Sequence, residues 1–116
     1  MEKNIQQYFY KITLVTPAGT RCGYLQMKVE DGLISGCCDI LNHKSMISGE
    51  LLGDGVCKVT GTLTSLMQKF IYTAIGYFDD ESIELTLAGT KNNYQLTGIA
   101  ARRNLVMGYI EMRNKL

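Results

Sequence analysis

The stretch DGLISGCCDILNHKSMISGELLGDGVCKVTGTL, residues 31–63, carries a hydrophobic–small–Gly triplet three times: Ile34-Ser35-Gly36, Ile47-Ser48-Gly49 and Val59-Thr60-Gly61. Each triplet lies inside a run that reads as a β-strand. Glycine weakens a strand interior, so its repetition there needs a cause. Asp31-Gly32 and Gly53-Asp54-Gly55 are tight-hairpin signals, and Asn42-His43-Lys44-Ser45 reads as a polar loop. The segment therefore predicts strands over 33–41, 46–52 and 56–63.

The same pattern extends in both directions. Residues 8–16 alternate and end at Pro17-Ala18-Gly19, and 20–29 form a second run. After a looser link at 64–68, residues 69–78 are the most β-prone run, turned by Asp79-Asp80-Glu81. Runs 82–89 and 94–100 follow, joined through 90–93. Residues 105–112 fit a last strand or a short helix. The strand is preferred because Leu-Val-Met-Gly-Tyr-Ile is poor helix material. Eight strands, or nine with that segment, joined by short turns must pair antiparallel, as a sandwich or a closed up-and-down barrel.

Splitting each run by period two separates an inside from an outside. Tyr10, Ile12, Met27, Ile34, Gly36, Cys38, Gly49, Gly61, Tyr72, Gly76 and Leu87 share the apolar face. Lys28, Ser35, Asp39, Glu50, Lys58, Thr60 and Glu84 share the polar one. All the strand glycines fall inside, and hairpin partners are expected to set them roughly side by side. Two causes are open. Glycine can permit the sharp coiling that closes a small barrel. Alternatively, the missing side chains leave a hollow for a small apolar ligand, lined by Tyr10, Met27, Gly36, Gly49, Gly61, Tyr72, Gly76 and Leu87. Tyr8, Tyr10, Phe70, Tyr72 and Tyr94 could fill much of the same space.

Composition limits the function. The chain has 116 residues, which makes one domain spanning 1–116 the expectation. A formal net charge of +1 with 20% charged residues is not the balance of a nucleic-acid binder. No long apolar run predicts a membrane span, and the polar start MEKNIQQ does not read as a signal peptide, so a cytoplasmic location is expected. Cys22, Cys37, Cys38 and Cys57 lack zinc-ligand spacing and read as free, packed thiols.

No constellation points to catalysis, and neither a metal nor a cofactor is expected. His43 is the only histidine and reads as a solvated loop residue. Glu50 and Glu84 face outward without forming a carboxylate pair. Asp79, Asp80 and Glu81 lack calcium-loop spacing but could meet a basic partner. Arg102, Arg103, Arg113 and Lys115 make a basic C-terminal end that could touch phosphate or an acidic partner.

The segments GYLQMK (23–28), DG (31–32), LISGCCD (33–39) and ISGELLGDG (47–55) resemble the GrlR-type regulators. These are small bacterial lipocalin-like (calycin-like) β-barrels that restrain type III secretion gene expression by binding a transcriptional activator protein rather than DNA. The resemblance implies an all-β, antiparallel, up-and-down eight-stranded barrel. It also implies a regulatory or adaptor role through protein–protein contact, with no enzymatic activity. In that family the activator is met by an acidic run after the strand matching SGEL. Here that place reads Leu52-Gly53-Asp54-Gly55, and Asp54, with Glu50 beside it, keeps the acidity. The expected partner surface is thus Glu50, Asp54, Asp79, Asp80 and Glu81. An exposed strand or barrel face could also pair two copies as a homodimer.

Overall fold

The hydrogen-bond ladders run from each strand to the next and then return to the first. The structure, a computed structural model, describes residues 5–17, 19–40, 43–64, 69–89 and 93–115, without the side chains of 64, 70, 109 and 111–115. Its strands are β1 (Ile5–Thr16), β2 (Gly19–Glu30), β3 (Leu33–Ile40), β4 (His43–Gly53), β5 (Val56–Thr64), β6 (Lys69–Phe78), β7 (Ser82–Ala88) and β8 (Asn93–Ala100), followed by helix α1 (Arg103–Lys115). All pair antiparallel in chain order, and β8 returns to β1 from Tyr10↔Ala100 to Val15↔Gln95, closing an eight-stranded barrel. Closure removes the free edges that an open sheet would expose.

The hairpins follow local chemistry. Asp31 and Gly32 (φ 53° and 78°) and Asp54 and Gly55 (φ 49° and 81°) occupy the left-handed conformation that two-residue hairpin turns demand. Gly53, at φ 130°, sits where the β4–β5 register shifts. The links at 65–68 and 90–92, and the residues Leu41 and Asn42, lie outside the described set.

The inward face is the apolar one. Tyr10, Ile12, Leu14, Leu25, Met27, Ile34, Cys38, Cys57, Val59, Ala74, Ile83 and Leu87 are each essentially buried within a single cluster. This polarity is the reverse of a transmembrane barrel, whose outer band is apolar. No helix among the described residues is long and apolar enough to cross a membrane.

The glycines do not sit beside one another as expected. Each faces a larger neighbour: Gly36 pairs with Met27 and Ile47, Gly49 with Ile34 and Val59, Gly61 with Tyr72, and Gly76 with Cys57 and Leu85. Adjacent glycines are staggered by two or more residues, because the hairpin turns set a register that counting midpoints does not resolve. Their cause is close approach. A Cβ at Gly23, Gly36, Gly49 or Gly76 would overlap the carbonyl oxygen of Asp39, Gln26, Lys58 or Glu84 on the adjacent strand. Coiling of the wall, rather than a hollow, explains these four positions.

Three expectations need correction. Residues 105–112 are helical: with eight strands already closed there is no edge for a ninth. Val106 and Ile110, one helical turn apart, pack with Cys37 against Phe9, Tyr24 and Ala101 on the outer wall. Arg103 adds its guanidinium 6.0 Å from the Phe9 ring. Asp39 does face outward, yet it is 1% exposed, on the wall that α1 packs against. His43 is the first residue of β4, paired with Ile40, rather than a loop residue.

The cysteines divide accordingly. Cys22 is exposed, against the expectation of packing, while Cys37, Cys38 and Cys57 are buried. Burial, with lesser contributions from Cys37 and Asp39, pushes the Cys38 thiol up to about 12. Burial likewise raises Cys57, Tyr10 and Tyr72. Folded values above the unfolded ones mean that stability is fully present below the unfolded thiol range, near ~8.5, and is lost as pH rises toward the folded values. A disulfide-type thiol reagent at pH 8 should therefore modify Cys22 rapidly and Cys38 only on unfolding. The urea midpoint should be lower at pH 10.5 than at pH 7. Rapid labelling of Cys38 in the folded chain would contradict this packing.

Candidate functional site: an acidic rim and an outer trough

The up-and-down order places alternate turns at opposite ends. The β2–β3, β4–β5 and β6–β7 turns share one end, carrying Asp31, Asp54, Asp79, Asp80 and Glu81. Arg21, His43, Lys44 and Lys69 lie toward the other, near the starts of β2, β4 and β6. The acidic end is laced together: Leu51 N donates to Gly32 O at 2.8 Å, Phe78 N to Gly55 O at 3.0 Å, and Ala100 N to Glu81 O at 2.8 Å. From inside, the Tyr10 hydroxyl donates to Asp79 O at 2.5 Å, and Tyr8 meets Phe78 edge-on, ring centroids 5.0 Å apart. Aromatic rings close this mouth and hold the acidic turns in place.

The acidic residues are not equivalent. The Asp79 carboxylate accepts from Glu81 N at 2.8 Å and Ser82 N at 2.9 Å, and these bonds hold its pKa below the ordinary carboxylate range. Asp79 is thus committed to shaping its turn. Asp54, Asp80 and Glu81 are exposed on the rim. Glu50 stands lower, on the outer wall of β4, opposite Leu33 of β3 and Lys58 of β5.

Below the rim, registers align two outward rows across β2–β5. One reads Lys28, Ser35, Ser48 and Thr60; the other reads Glu30, Leu33, Glu50 and Lys58. The short hydroxyl row leaves a trough between longer neighbours. A groove of about 520 Å³ is lined by Lys28, Glu30, Asp31, Leu33, Ile34, Ser35, Ser48 and Gly49. A second of about 360 Å³ shares Leu33, Ser48 and Gly49 and continues over Glu50, Lys58 and Thr60. Leu33 stays 63% exposed between the carboxylates of Glu30 and Glu50. The floor carries hydroxyls and one apolar contact, and the walls carry the carboxylates of Glu30, Asp31 and Glu50 beside the ammonium groups of Lys28 and Lys58, a mixed-charge trough whose acidic side suits the cationic side chains of an extended segment.

The residues expected to line an interior space are all placed in the barrel wall. Tyr10, Met27, Tyr72 and Leu87 are buried, with Tyr10 spent on the rim. Tyr72 lies across Gly61 so closely that a Cβ there would meet its ring, with Ile47 Cγ2 at 3.1 Å. Gly36, Gly49 and Gly76 lie against neighbouring backbone. Phe70, expected to help fill the interior, has its side chain outside the described set, as do Arg113 and Lys115. Among the described residues no three His, Cys, Asp or Glu side chains come together as a metal-ligand group.

Sequence reasoning located the rim but missed Lys28, Glu30, Asp31, Leu33, Ser35, Ser48 and Thr60. The register of the two Asp-Gly hairpins is the signal for part of them, since it sets Lys28 against Ser35 and Glu30 against Leu33 in β2–β3 and Ser48 against Thr60 in β4–β5, while the β3–β4 pairing sets Ser35 against Ser48. The chain matches no protein-family profile, no curated protein and no solved structure.

Proposed function

We propose that this chain is a small regulatory or adaptor protein that works in the cytoplasm by binding another protein, in the manner of the GrlR-type regulators of transcription it resembles. The observation that carries this reading is the acidic rim, continuous with a trough in which Glu30, Asp31 and Glu50 outnumber Lys28 and Lys58, on a barrel whose apolar face is turned inward and buried. Such a surface favours a basic, partly apolar segment of the partner, lying along Ser35 and Ser48 with cationic side chains toward Glu50 and Asp54. Attraction of this kind sets association rate and specificity and weakens with salt.

The test uses fluorescent peptides of about fifteen residues, with lysine or arginine interleaved with leucine, titrated by polarisation. Binding should weaken as salt rises. The Glu50→Lys/Asp54→Lys double variant should lose roughly tenfold in affinity or more, and Lys58→Glu should gain. Absence of binding, or equal affinity in the charge-reversed variant, overturns the assignment of this surface.

A further inference from the structure

The hydroxyl row of the trough does not stop at β5. Thr60 pairs with Thr73 of β6, so Ser35, Ser48, Thr60 and Thr73 stand side by side on four successive strands. The outward rows on either side carry exposed apolar side chains at two places along it. Leu33 on the rim side and Met46 on the other flank Ser35 and Ser48, and are 63% and 69% exposed. Ile75 on the rim side and Ile71 on the other flank Thr73 along β6, and are 51% and 73% exposed. The floor between the two pairs is polar. Each hydroxyl can donate and accept, and that of Thr60, which donates to Ser48 O at 3.3 Å, can still accept from a peptide N–H.

We infer that the trough runs on to β6 and that its occupant is an extended segment of the partner protein with apolar side chains at positions i and i+4. The first is seated between Leu33 and Met46, the second between Ile71 and Ile75. This rests on the trough being the partner surface proposed above. The spacing follows from two repeats. Leu33, Glu50, Lys58 and Ile75 form one row from β3 to β6. Neighbouring strands lie ~4.8 Å apart, which separates Leu33 from Ile75 by about 14 Å. An extended chain advances ~3.3 Å per residue and returns its side chains to one side at every second residue, so i and i+4, about 13 Å apart, match in both distance and direction. Spacings of i+3 or i+5 turn the second side chain away from the wall. The carboxylates of Glu30 and Glu50 stand on either side of Leu33 in its row, which places cationic residues at i−2 and i+2.

Fluorescent peptides of one composition test this by polarisation. One has leucines at i and i+4 with lysines at i−2 and i+2; the others move the second leucine to i+3 or i+5. The i+4 peptide should bind roughly tenfold more tightly than either. Ile71→Ser/Ile75→Ser, its folding verified by far-UV circular dichroism, should abolish that advantage and leave the affinity of a peptide without the second leucine unchanged. Equal affinity for the three spacings, or an advantage that survives Ile71→Ser/Ile75→Ser, overturns the inference; if binding is still lost in Glu50→Lys/Asp54→Lys, the partner surface stands and its trough ends at β5. No binding by any peptide, or binding indifferent to Glu50→Lys/Asp54→Lys, overturns the partner surface and the inference with it. Sedimentation of the wild type as a dimer that Ile71→Ser/Ile75→Ser splits gives β6 to a second copy and overturns the inference as well.

Discussion

Gly49→Ala and Gly76→Ala should each destabilise the barrel by about 3 kcal/mol, the upper end for inserting a methyl group into packed space. A 3 kcal/mol loss should lower the melting temperature by on the order of 10 °C in a chain of this size. The reason is where the methyl group would go. At Gly49 it would overlap Lys58 O and lie 2.6 Å from Val59 Cα; at Gly76 it would overlap Glu84 O and lie 2.8 Å from Leu85 Cα. These neighbours are backbone held by ladder hydrogen bonds, so no rotamer change relieves the clash. Two adjacent strands would have to separate. Gly108 supplies the control. It is exposed in α1, and a Cβ there meets nothing within 4 Å. Gly108→Ala should therefore raise stability by roughly 0.5–1 kcal/mol, since alanine favours a helix and narrows the unfolded ensemble. Thermal unfolding of the three variants decides the matter. If Gly49→Ala and Gly76→Ala melt with the wild type, close strand approach is not why glycine occupies these places.

That result bears on function, because the two readings of the glycines lead to different proteins. A hollow would have made a carrier. Close strand approach accounts for Gly36, Gly49 and Gly76 without one. The inside glycines were legible from period-two alternation alone, since burial of one face dictates which residues point inward. Their cause was not, because a Cβ meeting Lys58 O depends on strand coiling, a property of the closed ring.

Strand bounds were similarly legible where the chain punctuates itself. The Asp31-Gly32 and Asp54-Gly55 turns are local events of two residues, and β3, β5 and β6 start where the pattern places them. The polar start of β1 was not legible. Ile5, Gln6 and Gln7 extend only because Glu30, Val29 and Lys28 pair with them. The acidic rim could be read because its residues are turn residues, and turns of an up-and-down barrel alternate between ends. The trough could not, since Ser35 and Ser48 are thirteen positions apart and become neighbours only through register.

The helix is the clearest case of tertiary context overriding propensity, and it yields the second large effect. Val106→Asp should release α1 from the wall. Val106 is fully buried and Ile110 is 4% exposed, and each such side chain contributes about 1.5–3 kcal/mol on burial. An unpaired carboxylate at position 106 would cost several kcal/mol to keep buried, more than those contacts return. The lowest-energy outcome is therefore an undocked helix on an intact barrel, because α1 takes no part in the strand ladders that close the ring. Cys37 reports the event: it is 9% exposed beneath the helix, and burial raises its thiol pKa, opposed by the nearby Lys44 charge. Freed of cover, it should react with a thiol reagent on the order of a hundredfold faster, the equivalent of about 3 kcal/mol of docking energy. Cys38, the next residue but inside the barrel, should stay protected, so the ratio of the two rates separates helix release from general unfolding. Equal acceleration at both cysteines would mean that α1 holds the barrel itself together. No acceleration at Cys37 would mean that Val106 is not what fastens the helix.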